Sequence, residues 1–231
     1  MNFAPPDWIQ KAANEAVATV SGSHYSHPRG RIRLRQALKK YYSPKFRRDL
    51  DLEKEILVTS GANEGQSHYF YADNFDIDIH SSGQYSVFVA FLKEGDEVIM
   101  FEPFFDQYLP SVTFNGGKPV YVPLHPDTSK GTISSDDWKI DFEELTYVLT
   151  LMHHKRELTT DFRRAITPRT KMIIVNTPHN PVGKVFTRTE LEKIAALAEE
   201  HNLLVMADEV VCIPLCKHQS CTHPLFISMT L

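Results

Sequence analysis

Apolar positions along the chain fall into short solid runs and longer helical stripes. Lys171-Met172-Ile173-Ile174-Val175 is apolar through its centre, as expected of a parallel strand covered on both faces. Leu203-Leu204-Val205-Met206-Ala207 repeats that pattern and stops at Asp208. Between them, 187–201 predicts a helix. Thr187 caps it, Glu190 completes a capping box, and Leu191, Ile194, Ala195, Leu197 and Ala198 form the buried stripe. Strands are expected over 97–101 and 118–124. A shorter one over 56–59 runs into the glycine turn Ser60-Gly61-Ala62-Asn63-Glu64-Gly65 and a helix start, and 85–91 is an apolar helical segment.

Toward the N-terminus, 7–20 predicts a helix after Pro5-Pro6, with Trp8, Ala12, Ala16 and Val20 at helical spacing. A second, basic helix over 31–42 offers Ile32, Leu34, Leu38 and Tyr41 as buried candidates and ends at Ser43-Pro44. Strands alternating with helices predict an α/β fold with a mainly parallel sheet and helices on both faces. Ligands of such sheets sit at the carboxyl ends of the strands. Asn176 and Asp208 each fall one residue past an apolar run, Asn180 follows the first of these, and Phe105 follows the 97–101 strand.

Composition narrows the function classes. The 231 residues are 42% hydrophobic and 23% charged, with a net charge of −4. That is an ordinary globular balance, and it argues against nucleic acid as a partner. No apolar run is long enough for a membrane span, and the start, Met1-Asn2-Phe3-Ala4-Pro5-Pro6-Asp7, lacks the basic and apolar regions of a secretory signal. Cys212, Cys216 and Cys221 are the chain's cysteines. Their confinement to the tail fits a reducing, cytoplasmic compartment and no disulfide scaffold. With His218 and His223 they are zinc-ligand types, but the spacing matches no familiar finger, so no metal site is expected. The 61–65 turn likewise lacks the glycine spacing of a dinucleotide or Walker loop.

Several motifs occur in one order: His24-Tyr25-Ser26-His27-Pro28-Arg29-Gly30, Val58-Thr59-Ser60-Gly61-Ala62-Asn63-Glu64, Gly95-Asp96-Glu97-Val98, Phe101-Glu102-Pro103-Phe104-Phe105-Asp106-Gln107-Tyr108, 176–186 beginning Asn176-Thr177-Pro178-His179-Asn180-Pro181, and Ala207-Asp208-Glu209-Val210. In order and approximate spacing they resemble the class I, fold-type I aminotransferases, within them the kynurenine aminotransferase or cysteine-conjugate β-lyase group. The resemblance covers nearly all of residues 1–210. It implies pyridoxal phosphate as cofactor, amino acid and 2-oxo acid as substrates, and a homodimer. It also implies roles for individual residues. Asn180 bonds the phenolic oxygen, Asp208 pairs with the pyridinium nitrogen, and Phe105 stacks on the ring. Ala62 and Asn63 hold the phosphate through their amides, Tyr25 reaches a neighbouring subunit's site, and Asn176 fixes the substrate carboxylate or the loop near it.

The residues also meet four physical requirements of such a site: a carboxylate, an amide donor, a covering aromatic ring, and backbone amides at a helix start. The fifth, a lysine for covalent attachment, is not met. The family's lysine lies in a Ser-x-x-Lys motif well beyond the strand-end Asp, whereas Lys217 is the sole lysine after Asp208 and has no such context. The family's substrate-binding arginine lies further on still. Val211 stands where the family has a tyrosine. The chain therefore reads as a truncated, inactive family member. It has an N-terminal segment over 1–54, a partial large domain over 55–210, and a tail over 211–231 without family likeness. Two stretches, 67–84 and 146–163, interrupt the family pattern. They and the tail read as translated introns: Val211-Cys212 can be encoded by a donor-like GTATGT, and the first two segments can encode a branch-point-like CTGAC.

Overall fold

The computed structural model describes residues 4–59, 61, 83–142, 145 and 165–210. The glycine-turn residues Ala62 and Asn63, nearly all of the 67–84 stretch, the 146–163 stretch and the tail lie outside them. The chain divides into two compact units, Met1–Thr59 and Ser60–Leu231.

In the first unit, helix α1 (Asp7–Val17) stops three residues short of the expected end. The Thr19 hydroxyl donates to the Ala16 carbonyl at 2.8 Å and accepts the Gly22 amide at 3.0 Å, which turns the chain out of the helix. The expected stripe is not buried, with Trp8 72% and Val20 86% exposed. Helix α2 (Ile32–Tyr42) departs further from expectation. Its buried residue is Arg35, while Ile32, Leu34 and Tyr41 are exposed and Leu38 half-buried. One Arg35 guanidinium nitrogen donates to the Leu52 carbonyl at 3.0 Å and to a Glu53 carboxylate oxygen at 3.2 Å. The inward anchor of α2 is thus a hydrogen-bonded cation rather than an apolar stripe. The expected 56–59 strand joins no ladder. The Val58 amide instead donates to the Arg29 carbonyl at 3.1 Å, and Gly30 (φ 93°) lies so close that a Cβ there would sit 2.5 Å from the Val58 Cβ. Glycine is therefore required at that crossing.

In the second unit, α3 (Gly83–Phe91) leads to strand β1 (Glu97–Glu102), helix α4 (Tyr108–Phe114), strand β2 (Lys118–Pro126) and the short β3 (Trp138–Ile140). Strand β4 (Thr170–Asn176), helix α5 (Arg188–Glu200) and strand β5 (Leu204–Asp208) follow. The sheet order is β3-β2-β1-β4-β5. Pairs β1–β2, β1–β4 and β4–β5 are parallel, and β3 alone runs antiparallel, against β2.

Because successive strand residues face opposite ways, the solid apolar runs split between two cores. Ile99 and Phe101 of β1 and Ile173 and Val175 of β4 pack with Ile194 and Ala198 of α5. Val98 and Met100, with Met172 and Ile174, pack against Phe88 of α3 and Tyr108 and Val112 of α4. Helices therefore cover both faces, and strands β1 and β4 are apolar through their centres, 98–101 and 172–175. Helix α5 starts with the expected capping box: Thr187 accepts from the Glu190 amide, and Glu190 accepts from the Thr187 amide. Of its expected stripe, Ile194 and Ala198 are buried and Ala195 is exposed.

Chain order reverses beside β1, which continues to β2 on one side and neighbours β4 on the other. That reversal is the switch point where open parallel sheets hold ligands, at the carboxyl ends of the strands.

Candidate active site

The end of β5 places Asp208 beside the end of β4, in register with Asn176. Four contacts fix Asp208. The Tyr108 hydroxyl donates to Oδ2 at 2.6 Å, and the Val210 amide donates to Oδ1 at 3.2 Å. On the backbone side, the Asp208 carbonyl accepts the Asn176 side-chain amide and the Thr177 N–H, each at 3.0 Å. Asp208 remains half-buried, so its carboxylate is oriented without being sealed away.

Tyr108 is 2% exposed. Burial and the adjoining Asp208 carboxylate push its phenol far above the ordinary tyrosine range. It therefore stays protonated and acts as a fixed neutral donor. Tyr108 opens α4 after the turn that follows β1, and its amide donates to the Phe105 carbonyl at 3.1 Å. Phe105, half-buried, meets the Tyr108 ring edge-on with centroids 5.7 Å apart.

The loop after β4 is held from both ends. The buried Asn176 accepts the Asn180 backbone amide on Oδ1 at 2.7 Å, leaving Asn180 itself exposed. Beyond it, the Gly183 amide donates to the His179 carbonyl at 2.6 Å and the His179 amide to the Lys184 carbonyl at 2.8 Å. Gly183 takes a positive φ of 72° to close this turn. The Glu102–Pro103, Thr177–Pro178 and Asn180–Pro181 peptides are cis.

Under the loop lie two buried polar groups. Lys184 is 1% exposed and pairs with Glu190 at 2.9 Å, its ammonium 5.2 Å from the Phe186 ring centroid. Burial works to raise the Glu190 pKa, but hydrogen bonds from Lys184 and Thr187 outweigh it and hold the carboxyl below its usual range. His179 is 4% exposed. Burial lowers its pKa to about 4; the Lys184 charge adds to this, and a bond to the Phe101 backbone opposes it.

Of the residues singled out in the sequence, Phe105, Asn176, Asn180 and Asp208 come together at the strand ends of one unit. Ala62 and Asn63 fall outside the described residues. Tyr25 lies in the other unit, 96% exposed, with its ring edge-on to His24. Tyr108 carried no role in the sequence reading. The available signal was its position three residues past Phe105, a spacing that brings two side chains to one side of a turn.

A carboxylate braced by a buried phenol thus stands at the strand ends of a parallel sheet, with an amide-bearing loop on the neighbouring strand. Residues 79–210, more than half of the chain, match the family described as aminotransferase class I and II, and the chain belongs to that family. Its similarity is to kynurenine–oxoglutarate transaminases in particular. It is 38% identical over 211 residues to a Saccharomyces cerevisiae protein described as a probable kynurenine–oxoglutarate transaminase, BNA3, covering 90% of this chain and 39% of that one. It is 35% identical to the kynurenine–oxoglutarate transaminase of Dictyostelium discoideum, covering 90% of this chain and 42% of that one. Among solved structures, it superposes on Bna3p from Saccharomyces cerevisiae with a TM-score of 0.72 at 37% identity, over 90% of this chain and 41% of that one. N-succinyldiaminopimelate aminotransferase from Mycobacterium tuberculosis gives 0.68 at 31% identity, over 90% and 43%. The chain thus spans about 40% of the length of the relatives it matches. Among the described residues no helix is long and apolar enough to cross a membrane.

Proposed function

We propose that this chain provides the cofactor-holding part of a pyridoxal-phosphate-dependent transaminase of the kynurenine–oxoglutarate type. The observation that carries the reading is the Asp208–Tyr108 pair at the switch point. The donor set fits the cofactor: an oriented carboxylate for a ring nitrogen, an exposed amide for a phenolic oxygen, and a ring to cover one face. When bound, pyridoxal phosphate draws electron density from the α-carbon of an amino acid.

Asp208 keeps the ring nitrogen protonated by holding a negative charge against it. Tyr108 prevents that carboxylate from rotating away. Asn180 donates to the phenolic oxygen, and Phe105 covers the ring. Ala62 and Asn63 hold the phosphate through their amides, and Asn176 fixes the substrate carboxylate or the loop near it. In a homodimer, Tyr25 reaches the neighbouring subunit's site. The donor class is kynurenine or a related aromatic or sulfur amino acid, and the acceptor a 2-oxo acid; the similarity to kynurenine–oxoglutarate transaminases supports kynurenine as donor and a 2-oxo acid as acceptor.

Lys217 is the sole lysine after Asp208 and has no Ser-x-x-Lys context. The chain on its own is therefore expected to bind the cofactor without transferring amino groups. Purified chain mixed with pyridoxal phosphate should show saturable binding, no cofactor-modified lysine after borohydride, and no keto acid from kynurenine. Turnover would overturn the inactivity; an absence of binding would overturn the cofactor reading.

The organisation over 1–54, 55–210 and 211–231, with 67–84, 146–163 and the tail as translated introns, completes the proposal. Sequencing of transcripts across those codons should yield messages lacking the three segments. Their presence in every mature message would refute it.

A further inference from the structure

Asn176 touches the backbones of both residues assigned to polar atoms of the cofactor ring, Asn180 and Asp208. Its Oδ1 accepts the Asn180 amide at 2.7 Å, and its Nδ2 donates to the Asp208 carbonyl at 3.0 Å. The side chain is buried at 6% exposure, and it stands opposite Asp208 in the β4–β5 register. With its oxygen engaged and one amide hydrogen spent inward, it is poorly placed to receive a substrate carboxylate.

We infer that Asn176 is a positioning residue, a clasp that sets the distance between Asn180 and Asp208 and so matches them to two atoms of one ring. This rests on the cofactor reading above and takes the loop-fixing alternative of the role given to Asn176 rather than its substrate-carboxylate one. The sheet alone cannot supply that match. Asp208 ends an ordered strand, whereas Asn180 sits four residues into a loop, and loops drift unless their polar groups are tied. The Asn176 amide is the tie given by both its ends, and the Thr177 N–H adds a second bond to the same Asp208 carbonyl.

The two ends of the clasp can be separated. Asn176→Ala removes both bonds. Asn176→Asp keeps an acceptor for the Asn180 amide and sets an oxygen against the Asp208 carbonyl. Arg169→Ala is the control for general weakening: it breaks the Arg169–Glu97 pair (2.9 Å) at the opposite end of β1 and β4, far along both strands from the site.

The experiment measures amide hydrogen exchange on the full chain without cofactor, then pyridoxal-phosphate affinity and the absorption spectrum of the bound cofactor. Asn176→Ala should speed exchange at the Asn180 amide about tenfold or more, the equivalent of one lost hydrogen bond. The Asp variant should keep that protection. Both variants should weaken cofactor binding about tenfold and shift its spectrum, and Arg169→Ala should do neither. Unchanged Asn180 exchange in Asn176→Ala, or an equal loss of affinity in Arg169→Ala, overturns the clasp. If the unsubstituted chain takes up no cofactor, the cofactor reading fails on its own account and the exchange result alone decides the clasp.

Discussion

Tyr108 and Asp208, 100 positions apart in sequence, meet through a 2.6 Å hydrogen bond in which the phenol donates to carboxylate Oδ2. One opens helix α4 and the other closes strand β5. The bond joins the segment that carries the candidate ring cover, Phe105, to the candidate ring-nitrogen partner.

Removing that phenol should disorient the carboxylate while leaving the fold intact. A hydrogen bond to a charged group contributes about 1.5–3 kcal/mol. Tyr108→Phe keeps the ring packing against Phe105 and should weaken pyridoxal-phosphate binding by roughly ten- to a hundredfold. A fluorescence titration of the cofactor with the two chains reads the difference. Equal affinities would show that Tyr108 does not orient Asp208.

The Lys184–Glu190 pair predicts a stability effect. Lys184 is buried and Glu190 nearly so, with side-chain exposures of 2% and 12%. Breaking a buried pair costs about 3–5 kcal/mol. Glu190 retains its Thr187 bonds when the lysine is lost, so Lys184→Met should fall near the lower end. Urea unfolding measures this, and a loss under about 1 kcal/mol would mark the pair as a surface-type contact.

Acid should destabilise the second unit in two stages. The folded pKa of His179 is depressed to about 4 from 6.5, so the unfolded chain binds the extra proton first. Stability from this residue is complete above the unfolded value and is lost as pH falls from about 6.5 toward about 4. Glu190, its pKa also lowered, loses its contribution only below its unfolded value of 4.5. Lys184 faces both groups. His179→Phe should flatten the stability profile in the upper window and leave the lower one. A profile unchanged in both windows would exclude His179 as the source.

Much of the second unit is legible in the sequence because its signals are local. The runs of β4 and β5 are apolar on both faces, and Thr187 with Glu190 writes the start of α5. Helix α4 is not legible: Pro110 and the β-branched Val112 and Thr113 mask it. Strand β3 has three residues at the sheet's antiparallel edge, too short for a periodic signal. The first unit is over-read for the opposite reason. A helical stripe states that an apolar face exists, not what covers it, so Trp8 and Val20 are exposed while Arg35 is buried by its hydrogen bonds. At the site, strand-end position marks Asp208 and Asn176. Tyr108 acquires its part only when α4 folds back to β5, a relation no short window contains.

The central claim is that Asp208 is the partner of a cofactor ring nitrogen. Heteronuclear NMR of pyridoxal phosphate labelled at that nitrogen, bound to the full chain at neutral pH, tests it most directly. A protonated pyridine nitrogen is predicted in the unsubstituted chain and an unprotonated one in Asp208→Asn, which keeps the shape and removes the charge. The same protonation state in both chains would contradict it.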